Sequence, residues 1–435
     1  MTANQTDVLI IGGGPAGSTF ATLMKNRDWD VTLFEKDHHP KFHIGESLLP
    51  MNLPILDRLG VLDKVAEIGV PKMGADFTIG NSGEEEQTFY FKDALGKSPP
   101  QAFEVRRSEF DRLLFENCQK AGVRTFEGTI VQTARLLDNG SHEVWVANAD
   151  GEIHTWEARY LVDASGRDTF LSSKNGWKSR NPRHISAAVF GHFRSVARRS
   201  GTDQGNISLY WFDYGWIWMI PLRDDVMSVG AVCRPEYLKM RAGSLDDFLL
   251  DTLNGIREIR ERMAGAAAIV PAQATGNYSY LSDRMSGPGF LMVGDSFAFI
   301  DPVFSSGVYL AMNSAELGVD VAETWLLGST RDYRNACRLF DRKIRRGLSS
   351  FSWFIYRFTS PAMRNLMSNP RNVLQVVRAV ISMLAGDVFV NRQVRRRLLV
   401  FKTIYSISWL LHWRQSWDAR RTKRASIRAA SQESR

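Results

Sequence analysis

The sequence predicts an α/β chain in three parts: a parallel-sheet half that opens the chain, an antiparallel sheet, and a helical C-terminal region. Three observations carry this expectation. Residues 7–35 read in order as strand, glycine turn, helix, strand and acid. Residues 185–235 change to short alternating runs, and beyond residue 330 the apolar spacing is helical throughout.

The first unit is the most informative. Residues 8–11 (VLII) form a β-branched run suited to a strand buried on both faces of a parallel sheet. Gly12, Gly14 and Gly17 follow in G-x-G-x-x-G spacing, with Ala16 inside it. The first glycine permits a tight turn, the second lets a pyrophosphate approach the backbone, and the third lets helix and strand pack closely. The helix expected over 18–25 points free N–H groups at those phosphates. A second strand, 30–34, ends at Glu35, where an acid would hydrogen-bond a ribose. Together these features predict dinucleotide binding.

The chain then runs through a polar loop, 36–47, that ends in Gly45-Glu46-Ser47. Residues 48–62 are a helix candidate with Pro50 in the first turn. Another helix opens at 105–111, with Ser108 as its candidate N-cap and Phe110, Leu113, Leu114 and Cys118 at helical spacing. Strands are expected over 123–126, 129–135, 142–148 and 159–163, the last leading into Asp163-Ala164-Ser165-Gly166-Arg167. Runs at 207–212, 216–221 and 227–232 predict an antiparallel sheet with one covered face. A buried strand over 290–293 leads into Gly294-Asp295, and 307–326 reads as a long helix. Val373, Val377, Val380, Ile381 and Leu384 make one apolar stripe.

Composition narrows the function classes. At 435 residues the chain is long enough for two lobes. Its three cysteines, Cys118, Cys233 and Cys337, have no metal-ligand or C-x-x-C spacing and read as reduced thiols of a cytoplasmic protein. No signal peptide is read at the N-terminus, and no apolar run approaches the ~18 residues of a spanning helix. The net charge of +8 is unevenly placed: residues 391–435 carry twelve Lys or Arg and two acids, so the remainder is slightly negative. The basic character belongs to the tail and does not predict a nucleic-acid-binding body.

The GGGPAG turn with Glu35, the DASGR segment at 163–167 and the GD pair at 294–295 occur in an order that resembles the glutathione-reductase-like, Rossmann-type FAD fold of the para-hydroxybenzoate hydroxylase group. The resemblance implies FAD, with Gly12, Gly14, Ala16, Gly17 and Glu35 on its ADP half. It further implies Gly45, Glu46, Ser47, Arg107, Asp163, Gly294, Asp295, Pro302 and Gly307 about the remainder, Asp295 binding ribityl hydroxyls. There is no second G-x-G-x-x-G, so a separate NAD(P)H domain is not expected.

Two further motifs are similar to those of flavin-dependent halogenases. Residues 215–221 (GWIWMIP) resemble GWxWxIP, and 299–307 (FIDPVFSSG) resemble FxxPxxSxG. The resemblance places Trp216 and Trp218 between the flavin and a separate substrate pocket, and a halide at Ser305, Ser306 and Gly307 beside the flavin. The following helix supports an anion there, because its first N–H groups are unpaired. Lys72 matches the family's lysine beyond the Gly-Glu-Ser loop. In an apolar pocket its pKa would fall, and it would hold hypohalous acid or form a haloamine. No glutamate partner for this lysine is identifiable from the sequence, and Glu46 reads as part of the flavin loop.

The expected layout is an FAD-binding domain over 1–75, 100–175 and 275–330, a substrate-domain sheet over 76–99 and 176–274, and a helical region over 331–435. The function this implies is an FADH2-dependent halogenase, supplied by a separate flavin reductase, that turns chloride or bromide and O2 into hypohalous acid. The substrate is an electron-rich phenol or pyrrole, free or on an acyl carrier protein. Rival readings are an aromatic monooxygenase or polyprenyl reductase of the same fold, or a non-catalytic flavoprotein that binds a carrier or membrane. In the tail, Leu399, Ile404, Ile407 and Leu411, with Trp409 and Trp413, form an apolar stripe flanked by cations. The segment 391–435 either packs on the body or lies peripherally on an anionic membrane or an acidic partner.

Overall fold

The computed structural model describes residues 4–79, 86–368, 370–411, 413–414, 417–422 and 424–425. The opening apolar run forms the centre of the first sheet. Strand Asn4–Ile11 lies parallel to Val31–Phe34 on one side and to Ile153–Asp163 on the other. Arg124–Phe126 and Phe290–Met292 extend the two sides, both in parallel. Helix Pro15–Lys25 packs against Arg107–Lys120 and Ser306–Leu326. Val8, Leu9, Ile10 and Leu33 are wholly buried, as expected of strands covered on both faces. Strands Ile130–Leu136 and His142–Ala147 form an antiparallel meander beside Ile153–Asp163.

The second sheet contains the three alternating runs as Ile207–Phe212, Gly215–Leu222 and Val226–Cys233, antiparallel to one another. It departs from expectation in two ways. Gly74–Ile79 joins Ile207–Phe212 in parallel, so the sheet is mixed. Both faces are also covered. Tyr210, Ile217, Met219 and Val229 meet Phe248, Leu249 and Leu253 of helix Leu245–Asn254, while Leu209, Trp211, Trp216 and Trp218 join the main core. The alternation in the sequence therefore records two different packing partners rather than an inside and an outside.

Three helix expectations are corrected. The helix over 48–62 is broken into the turn Pro50–Asn52 and the helices Leu53–Arg58 and Leu62–Ile68. Pro54 has no N–H for a continuous ladder, and Gly60 sits at φ +69° between the two helices. Ser108 is not the N-cap, because the chain stays extended through Val105, whose N–H bonds the Glu46 carbonyl, and the helix Arg107–Lys120 starts directly after Arg106. Val373 leaves its stripe: Leu374 and Gln375 adopt left-handed backbone, Val373 is exposed, and only the helix Val376–Leu384 buries Val380, Ile381 and Leu384.

The helix Arg392–Leu411 packs on the body with a face other than the expected one. Val394, Leu398, Phe401 and Tyr405 are buried, with Phe401 and Tyr405 against Trp353 of helix Thr330–Ile355. Leu399, Ile407, Leu411 and Trp413 are exposed, and Ile404 and Trp409 are half-buried. Aromatic partners on the neighbouring helix decide which face turns inward. Among the described residues no helix is long and apolar enough to cross a membrane. The three cysteines are free, and burial pushes the Cys118 and Cys233 thiols up to about 12.

Candidate functional site

The glycine turn is shaped by close backbone approach. Gly12 sits at φ +102°, and a Cβ there would lie 2.5 Å from the Ala164 carbonyl oxygen. A Cβ on Gly17 would lie 1.8 Å from the Gly12 oxygen. Gly14 faces open space, with nothing within 4 Å of a Cβ built there, and Ala16 is buried in the first turn of the helix behind it. This is a cradle that admits a phosphate to the backbone and fits a dinucleotide such as FAD.

Glu35 is buried and accepts from Gly13 N–H at 2.7 Å, Asp37 N–H at 2.9 Å and Lys41 Nζ at 2.7 Å. Burial opposes its charge, but Lys41 and the two N–H donors hold the carboxyl below its ordinary range. It thus fixes the glycine turn. Lys41 is a site neighbour that sequence spacing does not reveal. Asp163 is also buried, and its oxygens accept from Ser165 N–H, Ser165 Oγ and Leu171 N–H. It organises its own loop beneath Gly12 rather than offering a free oxygen to a ligand.

The Gly45-Glu46-Ser47 loop lies against Arg107. Gly45 adopts φ +106°, and a Cβ there would lie 3.1 Å from Arg107 Nη1. Arg107 donates to the Ile44 carbonyl at 3.0 Å and forms a two-pronged pair with Asp111. Glu46 is buried and pairs with His192 at 3.0 Å. Asp295 follows Gly294, which has φ +64°; burial pushes its carboxyl up to about 6 despite Arg167 and Arg107.

The segment from Pro302 to Gly307 turns at a serine rather than at its glycine. Asp301 caps the turn Pro302–Phe304 by accepting from Val303 N–H. The chain reverses at Ser305, which takes φ +54°, and helix Ser306–Leu326 begins with Ser306 buried. Gly307 does not make the turn: its backbone is helical, and open space surrounds the Cβ it lacks. Pro302 and Gly307 are exposed on this face, so the glycine serves clearance rather than conformation.

Lys72 ends strand Val70–Lys72 and is only 1% exposed. Its Nζ donates to Ser47 Oγ at 2.7 Å and to the Leu48 carbonyl at 3.2 Å, and lies over the Phe91 ring. Burial lowers its pKa, opposed by Glu104 and Asp76. Glu104 Oε1 lies 3.8 Å from this ammonium. The lone acid of Ala102–Glu104 carries no motif, so the sequence gives no reason to single it out; strand pairing brings it here.

Trp216 and Trp218 share a face, with ring centroids 5.7 Å apart, and Trp218 Nε1 donates to Ser228 Oγ. On one side Trp218 meets Phe190, which stacks with Phe42 near His192 and hence near Glu46. On the other, Trp216 meets Phe358, whose ring also touches Phe77, Trp211 and Phe304. The tryptophans therefore stand between the Gly-Glu-Ser side and an aromatic cluster. Phe358 comes from the helical region and has no motif to announce it. Among the described residues no cluster of metal ligands occurs.

Comparison with known proteins agrees with this geometry. The FAD binding domain family matches residues 5–324. A tryptophan 2-halogenase of Chondromyces crocatus is 36% identical over 350 residues, which cover 78% of this chain and 65% of that protein, so the match falls short of two thirds of its length. A 1H-pyrrole-2-carbonyl-[peptidyl-carrier protein] brominase of Pseudoalteromonas luteoviolacea (strain 2ta16) is 30% identical over 376 residues, 82% of this chain and 89% of that protein. Among solved structures, a flavoprotein/dehydrogenase from Cytophaga hutchinsonii superposes with a TM-score of 0.87 at 26% identity, covering 94% of this chain and all of that one. With a cradle that fits FAD and with these relatives, the chain belongs to the FAD-binding flavoproteins and, among them, to the flavin-dependent halogenases.

Proposed function

We propose that this protein halogenates an electron-rich phenolic or pyrrolic ring through Lys72, using hypohalous acid made at FAD. The observation that carries the reading is the placement of Lys72, a buried ammonium outside the glycine cradle, bonded to Ser47 and the Leu48 carbonyl with Glu104 3.8 Å away. When bound and reduced, FAD supplies the activation of O2 that oxidises chloride or bromide to hypohalous acid. Gly12, Gly14 and Gly17 would hold its pyrophosphate, and Arg107 and Asp295 its more distal polar groups. The N–H groups that open helix Ser306–Leu326 would hold the halide beside Ser305 and Gly307. Trp216 and Trp218 would keep the arene away from the cofactor, so that oxygen is not inserted directly. Lys72 would hold the electrophilic halogen next to the ring by hydrogen bonding or as a haloamine.

Reduced flavin would come from a separate reductase, since the chain has one glycine fingerprint. The carrier-linked pyrrole acted on by the Pseudoalteromonas relative supports a pyrrolyl or hydroxybenzoyl group on a carrier protein as the substrate class. A second reading, oxidation or reduction of a substrate at FAD without halide, is favoured by the likeness to the Cytophaga flavoprotein/dehydrogenase. Halide-dependent product mass separates the two, and Lys72→Ala tests the lysine. The halogenase reading expects product halogenation to fall at least a hundredfold while FAD stays bound; wild-type turnover in the variant would reject the role of Lys72.

A further inference from the structure

Strands Val70–Lys72 and Ala102–Glu104 form a two-stranded antiparallel ribbon in which Val70 lies opposite Glu104 and Lys72 opposite Ala102. Lys72 and Glu104 are therefore diagonal neighbours on one face of the ribbon, within reach of each other's long side chains. Both are buried, Glu104 completely. Lys72 has two hydrogen-bond acceptors, Ser47 Oγ and the Leu48 carbonyl. Glu104 has weaker support: besides Lys72 only the Ser47 hydroxyl favours its charged form, and neither carboxylate oxygen meets full hydrogen-bond geometry among the described residues. A buried charge with so little hydrogen bonding is costly, and a nearby opposite charge compensates it. That charge is Lys72 at 3.8 Å.

The remaining charged groups about the pair are already engaged. Glu46, on the adjoining loop, is held by His192. Asp76, on strand Gly74–Ile79, accepts from Thr88 and Asn206 and faces Arg199. Each of the two carboxylates at hand other than Glu104 thus has its own cation or donors. We infer that Glu104 is a positioning residue that sets the protonation state of Lys72, the two groups titrating as one unit. This rests on the proposed role of Lys72 and adds a partner that the sequence did not reveal. Burial favours the neutral amine; the carboxylate next to it keeps the proton on Lys72 to higher pH. The direction in Glu104 is reciprocal, with burial raising its pKa and Lys72 opposing that rise.

The test compares wild type with Glu104→Gln and Glu104→Asp. In the cofactor-free protein, labelled at lysine with 15N, the buried Lys72 side-chain nitrogen should titrate at lower pH in Glu104→Gln by about one unit or more, the size expected from losing a neighbouring opposite charge. Glu104→Asp, which retains the charge one methylene further back, should shift it less. The Lys72-dependent limb in the pH profile of halogenation should move in the same direction. Glu104→Gln and Glu104→Asp profiles that coincide with wild type, with only a lower maximum, would overturn the inference and leave a purely structural role. Loss of halogenation in Lys72→Ala together with coincident Glu104 profiles would reject this inference alone; full halogenation by Lys72→Ala would reject the Lys72 reading itself.

Discussion

Lys72, Glu35 and the half-buried Asp295 show three ways a charge drawn away from water is accommodated. Glu35 has donors on three sides, Lys72 has two acceptors and a carboxylate further off, and Asp295 has Arg167 and Arg107 only at a distance. Asp295 gives a pH prediction with a definite sign. Its carboxyl ionises near pH 6 in the folded protein instead of near 3.8, so charging it costs stability above about pH 6 and costs nothing below its unfolded pKa. Asp295→Asn should raise the melting temperature of the cofactor-free protein at pH 8 and leave it nearly unchanged at pH 3.5. The same variant should bind FAD more weakly. Equal effects at both pH values would show that the carboxyl is not the group under strain. At this scale the glycines were legible, because no other residue tolerates a carbonyl where a Cβ would stand. Lys72 was legible only through its place in a motif order. Glu104 was not, since strand pairing, not local sequence, brings it to the lysine.

The glycine turn and the start of helix Ser306–Leu326 use glycine for opposite reasons. At Gly17 the space is already taken by the Gly12 oxygen, 1.8 Å from a built Cβ. Overpacking of a core typically costs ~1–3 kcal/mol, and Gly17→Ala should reach or exceed that range because the obstacle is backbone. Denaturant unfolding and FAD retention would check it, and an alanine variant as stable as wild type would contradict the geometry. At Gly307 the space is empty and the backbone ordinary. Gly307→Val should leave the melting temperature within a few degrees of wild type yet reduce halide-dependent turnover at least tenfold by filling the clearance over the helix N-terminus. A folded variant with unaltered halide dependence would remove the halide from this helix. The parallel strands were readable because burial on both faces leaves an unbroken apolar run. The second sheet was read with a free face because alternation between two cores looks like alternation between core and water.

At the scale of the whole molecule, the body and the tail differ in charge and in what they face. Helix Arg392–Leu411 commits one face to Trp353 and its neighbours and leaves Leu399, Ile407 and Leu411 outside, on the side that also exposes Arg395 and Arg396. Cations near an anionic bilayer contribute ~1 kcal/mol each, so the proposal that this face lies on such a bilayer predicts that the protein pellets with anionic vesicles at low salt and not at high salt. A supernatant at both salts would end that proposal. Truncation should be made after Leu411, since removal of the helix itself would uncover the Phe401 and Tyr405 packing. The sequence showed the tail to be basic and amphipathic, but which stripe turns inward depended on aromatic partners some fifty residues earlier.

The most direct measurement is the mass of the product. Protein, FAD, a generic flavin reductase and NADPH would be given free and carrier-bound pyrrolyl and hydroxybenzoyl substrates, with chloride, with bromide and with neither. A halogenase predicts product isotope patterns that follow the halide supplied, no halogenated product without halide, and negligible NADPH oxidation when the reductase is left out. A product that gains oxygen regardless of halide, or rapid NADPH consumption by this chain alone, would contradict it.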